Sequence, residues 1–396
     1  MVFARHSGRS VNGEGRTPYS KRMKASPRYI LPAAAAAALF LFPAAALEGA
    51  APADANMKLV QVQGTPQHEV KPYTFTDKES PHFIPTPAVA APKNVILMIG
   101  DGMGHENLWA AWMLNGRKLN IFNLPYTGYS CTTSASHAVT DSAAGGTALA
   151  CGRKTTNQYL GMAPDGTPMQ NLAEFFRAQG KATGLVVTKD ITDATPAAFY
   201  AHVADRTRRK LIAQDLVKAG FTVLYGGGKL TVSPEQQQAM AAAGTVAELT
   251  HPSNPPAASV RGMDYLSGYV GKALAELEKD PDGLFLMVEG SQIDHAAHSA
   301  DVRETLLETL DFDRAVGVVL DWMKTHPDTL LVVTADHQTG GMLIKDGKPG
   351  ESRVEAMLPT HSHNGFAVPV FAAGPGAARF SGVQDNTDIC KKLRGE

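Results

Sequence analysis

Carboxylate and imidazole side chains follow short apolar runs at several points of this chain of 396 residues. Asp101 comes directly after "VILMIG", and Asp336 and His337 follow "LLVVTA" side by side. Asp294 and His298 come after "LFLMVEG", and their four-residue spacing places both side chains on one face of a helix. Mixed Asp and His ligands suit zinc, whereas oxygen ligands alone suit magnesium. These positions therefore predict a site for divalent metal ions.

One serine of the segment "VTDSAAGGTALACG" (139–152) is a candidate nucleophile. Ser142 follows Asp141 and precedes the small residues 143–146, which predicts a helix start with backbone N–H groups facing an anion. The small side chains would leave room for that anion. An ordinary helix cap is the alternative interpretation, because no G-x-S-x-G elbow surrounds this serine. A bound metal ion can activate a serine hydroxyl without a neighbouring base, so the predicted metal site favours a nucleophile.

Apolar runs of strand length alternate with helical patterns after residue 93. The expected strands span 94–100, 128–133, 181–189, 221–228, 283–290, 329–336 and 367–375, and the expected helices span 171–180, 263–279 and 302–325. This alternation predicts an α/β fold with a single doubly wound, mostly parallel sheet and helices on both faces. Ligands bind such sheets beyond the carboxyl ends of the strands, where the acids and histidines fall. His361 and His363 stand just before the last expected strand, and either imidazole could join a metal site there.

The first 92 residues are expected to precede the folded core. Residues 1–55 combine a basic stretch, an apolar run with two prolines, and small residues with cleavage sites at about 46–55, which predicts a signal peptide. Counting from Met23 gives this peptide ordinary proportions, which makes Met23 a candidate start. We expect export to the periplasm or the medium, with no stable membrane anchor after cleavage. Residues 56–92 form a Pro-rich segment, and residues 93–396 are expected to form one catalytic domain.

Charge and cysteine content argue against two classes of protein. The chain has a net charge of −1, and residues 1–55 carry a net charge of +4, so the remainder is acidic at −5. This balance argues against a nucleic-acid partner, which requires a basic face. Cys131, Cys151 and Cys390 are too few for a disulfide framework and are not spaced as zinc ligands. We expect Cys131 and Cys151 to be buried and mostly unpaired.

Six motifs occur in the order in which a known family has them: "NVILMIGDGMG", "TDSAAGGTA", "DATPAAFYAHVADR", "VEGSQIDHAAH", "TADHQTGG" and "HNGFAVPVFAAGPG". In these motifs the chain resembles the alkaline phosphatases, over essentially all of residues 92–390. The resemblance implies a bacterial, secreted or periplasmic enzyme that hydrolyses small phosphate monoesters through a phosphoserine, with two Zn²⁺ and one Mg²⁺ per chain. It also allows a homodimer. Residues 338–360 are too few for the large crown insertion of animal members, so we expect the compact form.

The resemblance assigns a role to each candidate residue. The implied metal ligands are Asp101, Ser142, Asp336 and His337 for one zinc, Asp294, His298 and His363 for the other, and Asp101, Thr195 and Glu289 for magnesium. Arg206, thirteen residues after Asp193, would hold the phosphate through its guanidinium, and Asp193 would act on the magnesium through the groups that hold it. His295 stands where some bacterial members have lysine, and would contact the phosphate through water. The family pattern H-x-G favours His363 over His361.

Three functions are compatible with these residues. In a phosphomonoesterase, one zinc would lower the pKa of Ser142 and the other would stabilise the leaving oxygen. A phosphodiesterase or phosphonate hydrolase could use the same two zinc ions, but would need a pocket for the second ester substituent. A non-catalytic phosphate- or metal-binding protein is the third, and Ser142 beside a full set of metal ligands argues against it. The lack of a C-x-P-x-R motif, which would supply the modified nucleophile, argues against a sulfatase.

Overall fold

The computed structural model describes residues 91–348 and 353–396. The predicted signal peptide, and the Pro-rich segment up to residue 90, lie outside the described residues. The strands are β1 Asn94–Gly100, β2 Tyr126–Cys131, β3 Ala182–Asp190, β4 Val223–Gly227, β5 Val246–Leu249, β6 Leu284–Gly290, β7 Thr329–Thr334, β8 Gln338–Thr339, β9 Leu343–Lys348, β10 Arg353–Met357, β11 His363–Asn364, β12 Val368–Ala373 and β13 Gly382–Asp385. The helices are α1 His105–Leu114, α2 Ser142–Cys151, α3 Leu172–Arg177, α4 Ala194–Ala197, α5 Arg209–Ala219, α6 Pro234–Ala242, α7 Ala258–Arg261, α8 Tyr265–Leu277, α9 Gln292–His298, α10 Val302–Met323 and α11 Asn386–Arg394.

Nine strands form one sheet, in the order β13-β2-β12-β7-β1-β6-β3-β4-β5. Every residue of β1 is buried, and alternate residues of this strand belong to different apolar clusters. Leu97 packs in one cluster with residues of α2, α3 and α5, whereas Met98 packs in the other with residues of α1, α8 and α10. Since successive side chains of a strand point to opposite faces, helices cover both faces of the sheet. This arrangement confirms the predicted α/β fold with a mostly parallel sheet.

The direction of β12 explains why His363, one of the predicted ligands, lies at the carboxyl edge of the sheet. All neighbouring strands of the large sheet run parallel, except that β12 runs antiparallel to both β2 and β7. The residues that precede an antiparallel strand lie at the carboxyl edge of its neighbours. His363 therefore reaches the same edge as Asp101 and Asp336, although it comes before its strand and they come after theirs.

The three cysteines are free thiols, as predicted for Cys131 and Cys151. Cys151 and Cys390 are buried between α2 and α11, where the Sγ of Cys390 lies 3.3 Å from the carbonyl of Ala150. The expectation that Cys131 is buried was wrong: it is exposed. Cys131 is the last residue of β2, in which exposed and buried residues alternate toward the carboxyl end, and its side chain points to the exposed face.

No helix in residues 91–348 or 353–396 combines the length and the apolar composition needed to cross a membrane.

Candidate active site

The predicted ligands meet at the carboxyl edge of the sheet because neighbouring parallel strands end there. Asp101 follows β1, Glu289 is the penultimate residue of β6, and Asp336 follows β7. α9 begins two residues after β6 and carries Asp294 and His298 one turn apart. The Nε2 atom of His298 lies 3.2 Å from Oδ1 of Asp294, so the two side chains do share one face of the helix.

Asp294, His298 and His363 form the first of two donor groups. The Nε2 atom of His363 lies 3.4 Å from Oδ1 of Asp294 and 3.1 Å from Nε2 of His298, and all three donor atoms fall within 4.8 Å of one another. The Nδ1 atoms turn away, toward the carbonyls of His361 at 2.7 Å and Thr140 at 3.0 Å. A backbone carbonyl on Nδ1 selects the tautomer whose Nε2 can bind a metal ion.

His361 lies close to this group but outside it. Its imidazole is exposed, and its Nδ1 atom is 2.8 Å from the carbonyl of His298. Its own carbonyl is the acceptor that orients His298. Its backbone therefore helps to orient a candidate ligand, while its side chain contributes no donor atom to either group in the described residues. This geometry favours His363 over His361 as the ligand.

The second donor group consists of Asp101, Asp294 and His337, whose donor atoms also lie within 4.8 Å of one another. The Nε2 atom of His337 is 3.4 Å from Asp101 and 3.3 Å from Asp336. Burial, and next the neighbouring His363, hold the pKa of His337 well below its ordinary value. A neutral imidazole is the form that binds a metal ion, so this environment suits a ligand.

Ser142 joins the second donor group. Its Oγ atom lies 3.1 Å from Nε2 of His337. Ser142 is the first residue of α2, and the Asp141 side chain caps the helix by accepting a hydrogen bond from the N–H of Ala144 at 3.0 Å. The nucleophile candidate thus stands at a helix N-terminus, as predicted, and next to the candidate metal ligands.

The small residues after Ser142 have a different role from the one expected. A Cβ atom on Gly145 would lie 2.9 Å from the carbonyl oxygen of Asp336, and one on Gly146 would lie 3.3 Å from Cα of Thr195. Both glycines therefore face protein backbone. They allow α2 to pack closely against the segment after β7 and against α4, which fixes the position of Ser142 relative to Asp336.

Arg206 lies in a turn before α5, between two helix caps. Its guanidinium is 3.3 Å from the carboxylate of Asp141 and 3.3 Å from that of Asp193, which caps α4. The two carboxylates orient the fork of donors, and the side chain remains 23 % exposed. Arg206 and the exposed His295 line one cleft of about 620 Å³ next to Asp294 and His298. Both residues expected to contact phosphate thus border the same cleft.

Several oxygen atoms of the carboxylates expected to hold magnesium have no hydrogen-bond donor near them among the described residues. Oδ1 of Asp101 and both oxygens of Glu289 are buried and accept no hydrogen bond from the described residues. Burial raises the pKa of Glu289 to about 8. Burial, followed by repulsion from Asp294, raises that of Asp336 to about 6. Thr195 donates a hydrogen bond to Asp336 over 3.4 Å. Carboxylate oxygens without donors are suitable ligands for Mg²⁺, so the residues fit the predicted ion.

Sequence reasoning missed three residues that shape the site. Thr339 donates a hydrogen bond of 2.6 Å to Asp294 and lies 3.2 Å from Nδ1 of His337, so it contacts both donor groups. Asp141 joins the cap of α2 to Arg206. Lys189 pairs with Asp193 across 3.4 Å. Thr339 and Asp141 lie within the quoted motifs "TADHQTGG" and "TDSAAGGTA", whereas Lys189 ends an apolar run and carries no local signal of function.

A family model described as alkaline phosphatase matches residues 92–250 and 261–356, well over half of the chain. The chain belongs to the alkaline phosphatase family. It is an enzyme, a phosphoric monoester hydrolase whose substrates are small phosphate esters. The matched residues include every candidate ligand except His363.

Curated relatives and solved structures agree with the family. The chain is 31 % identical to alkaline phosphatase 4 of Bacillus subtilis, over 75 % of this chain and 87 % of that protein. It is 34 % identical to streptomycin-6-phosphate phosphatase of Streptomyces griseus, over 77 % of this chain and 89 % of the relative. The structure of alkaline phosphatase from the Antarctic bacterium TAB5 superposes with a TM-score of 0.73 at 31 % identity, covering 77 % of this chain and 98 % of that one. A variant of the Antarctic enzyme has been solved with bound Mg.

Proposed function

We propose that this enzyme is an exported phosphomonoesterase that forms a phosphoserine at Ser142 in a site for two Zn²⁺ and one Mg²⁺. The observation that carries the proposal is the position of Ser142. Its Oγ atom lies at the N-terminus of α2 and 3.1 Å from Nε2 of His337, beside both donor groups. Residues 1–55 would direct export and be removed.

The donor groups suggest how the metal ions would be held. Asp294, His298 and His363 would bind one zinc, and Asp101, Asp336, His337 and Ser142 would bind the other. Glu289, Thr195 and Asp101 would bind magnesium. When bound, these ions would lower the pKa of the serine hydroxyl and neutralise charge on the phosphoryl oxygens.

The chain's own residues would position the phosphate for in-line attack. The free N–H groups at the start of α2 favour an anion next to Ser142. Arg206 would bind two phosphate oxygens through its fork of donors, which Asp141 and Asp193 hold in place. His295, on the wall of the same cleft, would contact the phosphate through water.

The cleft beside Arg206 favours a monoester with a polar leaving group. Among the described residues, no large apolar side chain and no Phe, Tyr or Trp borders it: its walls are formed by Gln158, Lys189, Asp193, Arg206, Thr207, Arg209, Asn254, Asp294, His295 and His298. A guanidinium that presents two donors suits the dianion of a terminal phosphate better than the single charge of a diester. We therefore expect phosphate monoesters of polar alcohols to react faster than diesters with apolar substituents.

The test is the substitution Ser142→Ala in the full chain. Removing the nucleophile should abolish the phosphoenzyme and reduce monoester turnover by about 10³-fold or more. Zinc content and thermal unfolding should stay close to the wild-type values. Phosphoenzyme is measured by mass spectrometry after acid quenching, with Ser267→Ala on the exposed side of α8 as the control variant.

Two outcomes would contradict the proposal. A Ser142→Ala enzyme that retains more than about a tenth of wild-type turnover would show that another group attacks the phosphate. If bis(p-nitrophenyl) phosphate were hydrolysed faster than p-nitrophenyl phosphate, the diesterase alternative would replace the monoesterase.

A further inference from the structure

Lys189 is a buried lysine at the carboxyl end of β3. Its side chain is only 11 % exposed, and its Nζ atom lies 3.4 Å from the carboxylate of Asp193. It is the penultimate residue of a strand in which every residue is buried. A buried ammonium loses its hydration, so other charges must stabilise it.

Asp193 does not depend on Lys189 for its positive neighbours. The guanidiniums of Arg206 and Arg209 each lie 3.3 Å from its oxygens. Three cations therefore contact one carboxylate. Arg206 also pairs with Asp141 and Arg209 with Asp190, whereas Asp193 is the one ion-pair partner of Lys189 within 4 Å among the described residues. Its charge is available to the carboxylates on its other side.

Those carboxylates are candidate metal ligands. Burial disfavours the charged ammonium, but Asp193 and then Asp101, Asp294 and Glu289 raise the pKa of Lys189 above its ordinary value. Burial raises the pKa of Asp101 and of Glu289, and Lys189 opposes that rise. Val187, two residues before Lys189 on β3, pairs in register with Glu289 on β6, and alternate residues of a strand share one face. Lys189 therefore stands on the same face of the sheet as Glu289, whose oxygens accept no hydrogen bond from the described residues.

We infer that Lys189 is a positioning residue of the proposed magnesium site: its ammonium supplies part of the positive charge that Asp101 and Glu289 require, and so weakens the binding of Mg²⁺. The inference rests on the metal site proposed above. A fixed cation near a divalent ion repels it, and the repulsion is strong where the surroundings exclude water. Removing the ammonium should therefore strengthen Mg²⁺ binding and leave the Mg²⁺-free site with more unbalanced negative charge.

The experiment compares Mg²⁺ binding by zinc-saturated wild-type protein and Lys189→Met, measured by isothermal titration calorimetry. We expect the variant to bind Mg²⁺ at least about tenfold more tightly than the wild type. Without Mg²⁺ the variant should unfold at a lower temperature than the wild type, and added Mg²⁺ should close that gap. Lys181→Met is the matched control, because Lys181 is a half-buried lysine just before the opposite end of the same strand.

Lys189→Arg separates charge from packing. Because a guanidinium keeps the positive charge, this variant should bind Mg²⁺ as weakly as the wild type. Lys189→Gln, which removes the charge but keeps a polar end, should bind Mg²⁺ tightly like Lys189→Met, and it replaces Lys189→Met if that variant fails to fold. Equal or weaker Mg²⁺ affinity in the uncharged variants would overturn the inference.

Failure of this inference can be told apart from failure of the proposed function. If Ser142 becomes phosphorylated but neither wild type nor variants bind Mg²⁺, the inference is wrong and the phosphoserine chemistry stands. If Ser142 is never phosphorylated, the proposed function is wrong, and the comparison of Mg²⁺ affinities still decides the effect of Lys189.

Discussion

Two buried groups of charges in this protein are built differently. In the Arg261 cluster, the guanidinium of Arg261 lies 2.6 Å from Glu308 and 2.6 Å from Asp311, and joins α7 to α10. The side chains are 3 %, 1 % and 1 % exposed. At the carboxyl edge of the sheet, called the catalytic edge below, Oδ1 of Asp101 and both oxygens of Glu289 are buried and accept no hydrogen bond from the described residues. Among the described carboxylates of the Arg261 cluster, this is true only of Oδ1 of Asp311.

The difference between the groups lies in how much negative charge is left over. The Arg261 cluster has one more carboxylate than it has cations, and burial raises the pKa of Asp311 to about 6, so a single proton can balance it. The catalytic edge brings Asp101, Glu289, Asp294 and Asp336 together, with Lys189 as a buried cation nearby. Buried charges need partners, so negative charge that the neighbouring side-chain cations do not balance suits the binding of metal ions.

The largest expected effect is on the stability that the Arg261 cluster provides. Arg261→Met should leave two buried carboxylates without their cation and lower the free energy of unfolding by about 3–5 kcal/mol. The loss should be the same with and without zinc and magnesium, since the cluster uses neither. Urea unfolding at both metal conditions measures it, with Arg303→Met, an exposed arginine of α10, as the control. If added metal ions restored the free energy of unfolding that Arg261→Met loses, the Arg261 cluster would depend on the metal site, contrary to this prediction.

A smaller effect, specific to the catalytic edge, should come from His363→Ala. We expect this variant to lose about one equivalent of zinc per chain, because one arm of the group formed with Asp294 and His298 is removed. Stabilisation by excess zinc should fall with it, by about 3–4 kcal/mol if zinc stands at several hundred times its Kd. Metal analysis and thermal unfolding are the measurements.

His361→Ala is the matched control for that loss, because His361 contacts His298 through its backbone carbonyl, which alanine retains. It should keep its zinc and change only rate or pH dependence. Loss of zinc in His361→Ala alone would show that His361, and not His363, is the third ligand. Loss in both variants would show that the two imidazoles bind together.

The smallest effect concerns the pH dependence of stability in the Arg261 cluster. The pKa of Asp311 is about 6 in the folded protein and ordinarily 3.8. The folded state therefore binds more protons across this range, and the free energy of unfolding falls as pH rises from about 4 to 6, by at most about 1.4 kcal/mol per pH unit. Asp311→Asn should remove this part of the slope. The exposed control Asp321→Asn should leave it unchanged, and an identical slope in Asp311→Asn would refute the assignment.

Much of the fold could be predicted because its central strands are buried on both faces. Continuous apolar runs marked β1, β6 and β7, and the acids directly after them marked the edge where ligands bind. The short strands β5, β8, β11 and β13 have too few residues to show a pattern. The direction of β12 also left no local trace, because its apolar run reads the same whether its neighbours are parallel or antiparallel.

The parts of the site that could not be predicted depend on contacts between distant segments. Lys189 ends an apolar run and looks like an ordinary polar residue after a strand. Its surroundings are set by Asp101 and Glu289, which come from other strands. Gly145 looked like room for an anion, but the backbone of Asp336 occupies that space. Residue type and spacing indicate which side chains can do chemistry, whereas the strand order decides which of them meet.

The position of β12 in the sheet affects when the enzyme becomes complete during synthesis. This strand lies between β7 and β2, so the backbone hydrogen bonds that tie β2 to the other strands form only after residues 368–373 have left the ribosome. His363 also emerges after Ser142. A nascent chain therefore exposes the candidate nucleophile before His363, one of the proposed metal ligands, has been made, so the proposed site stays incomplete until that residue emerges.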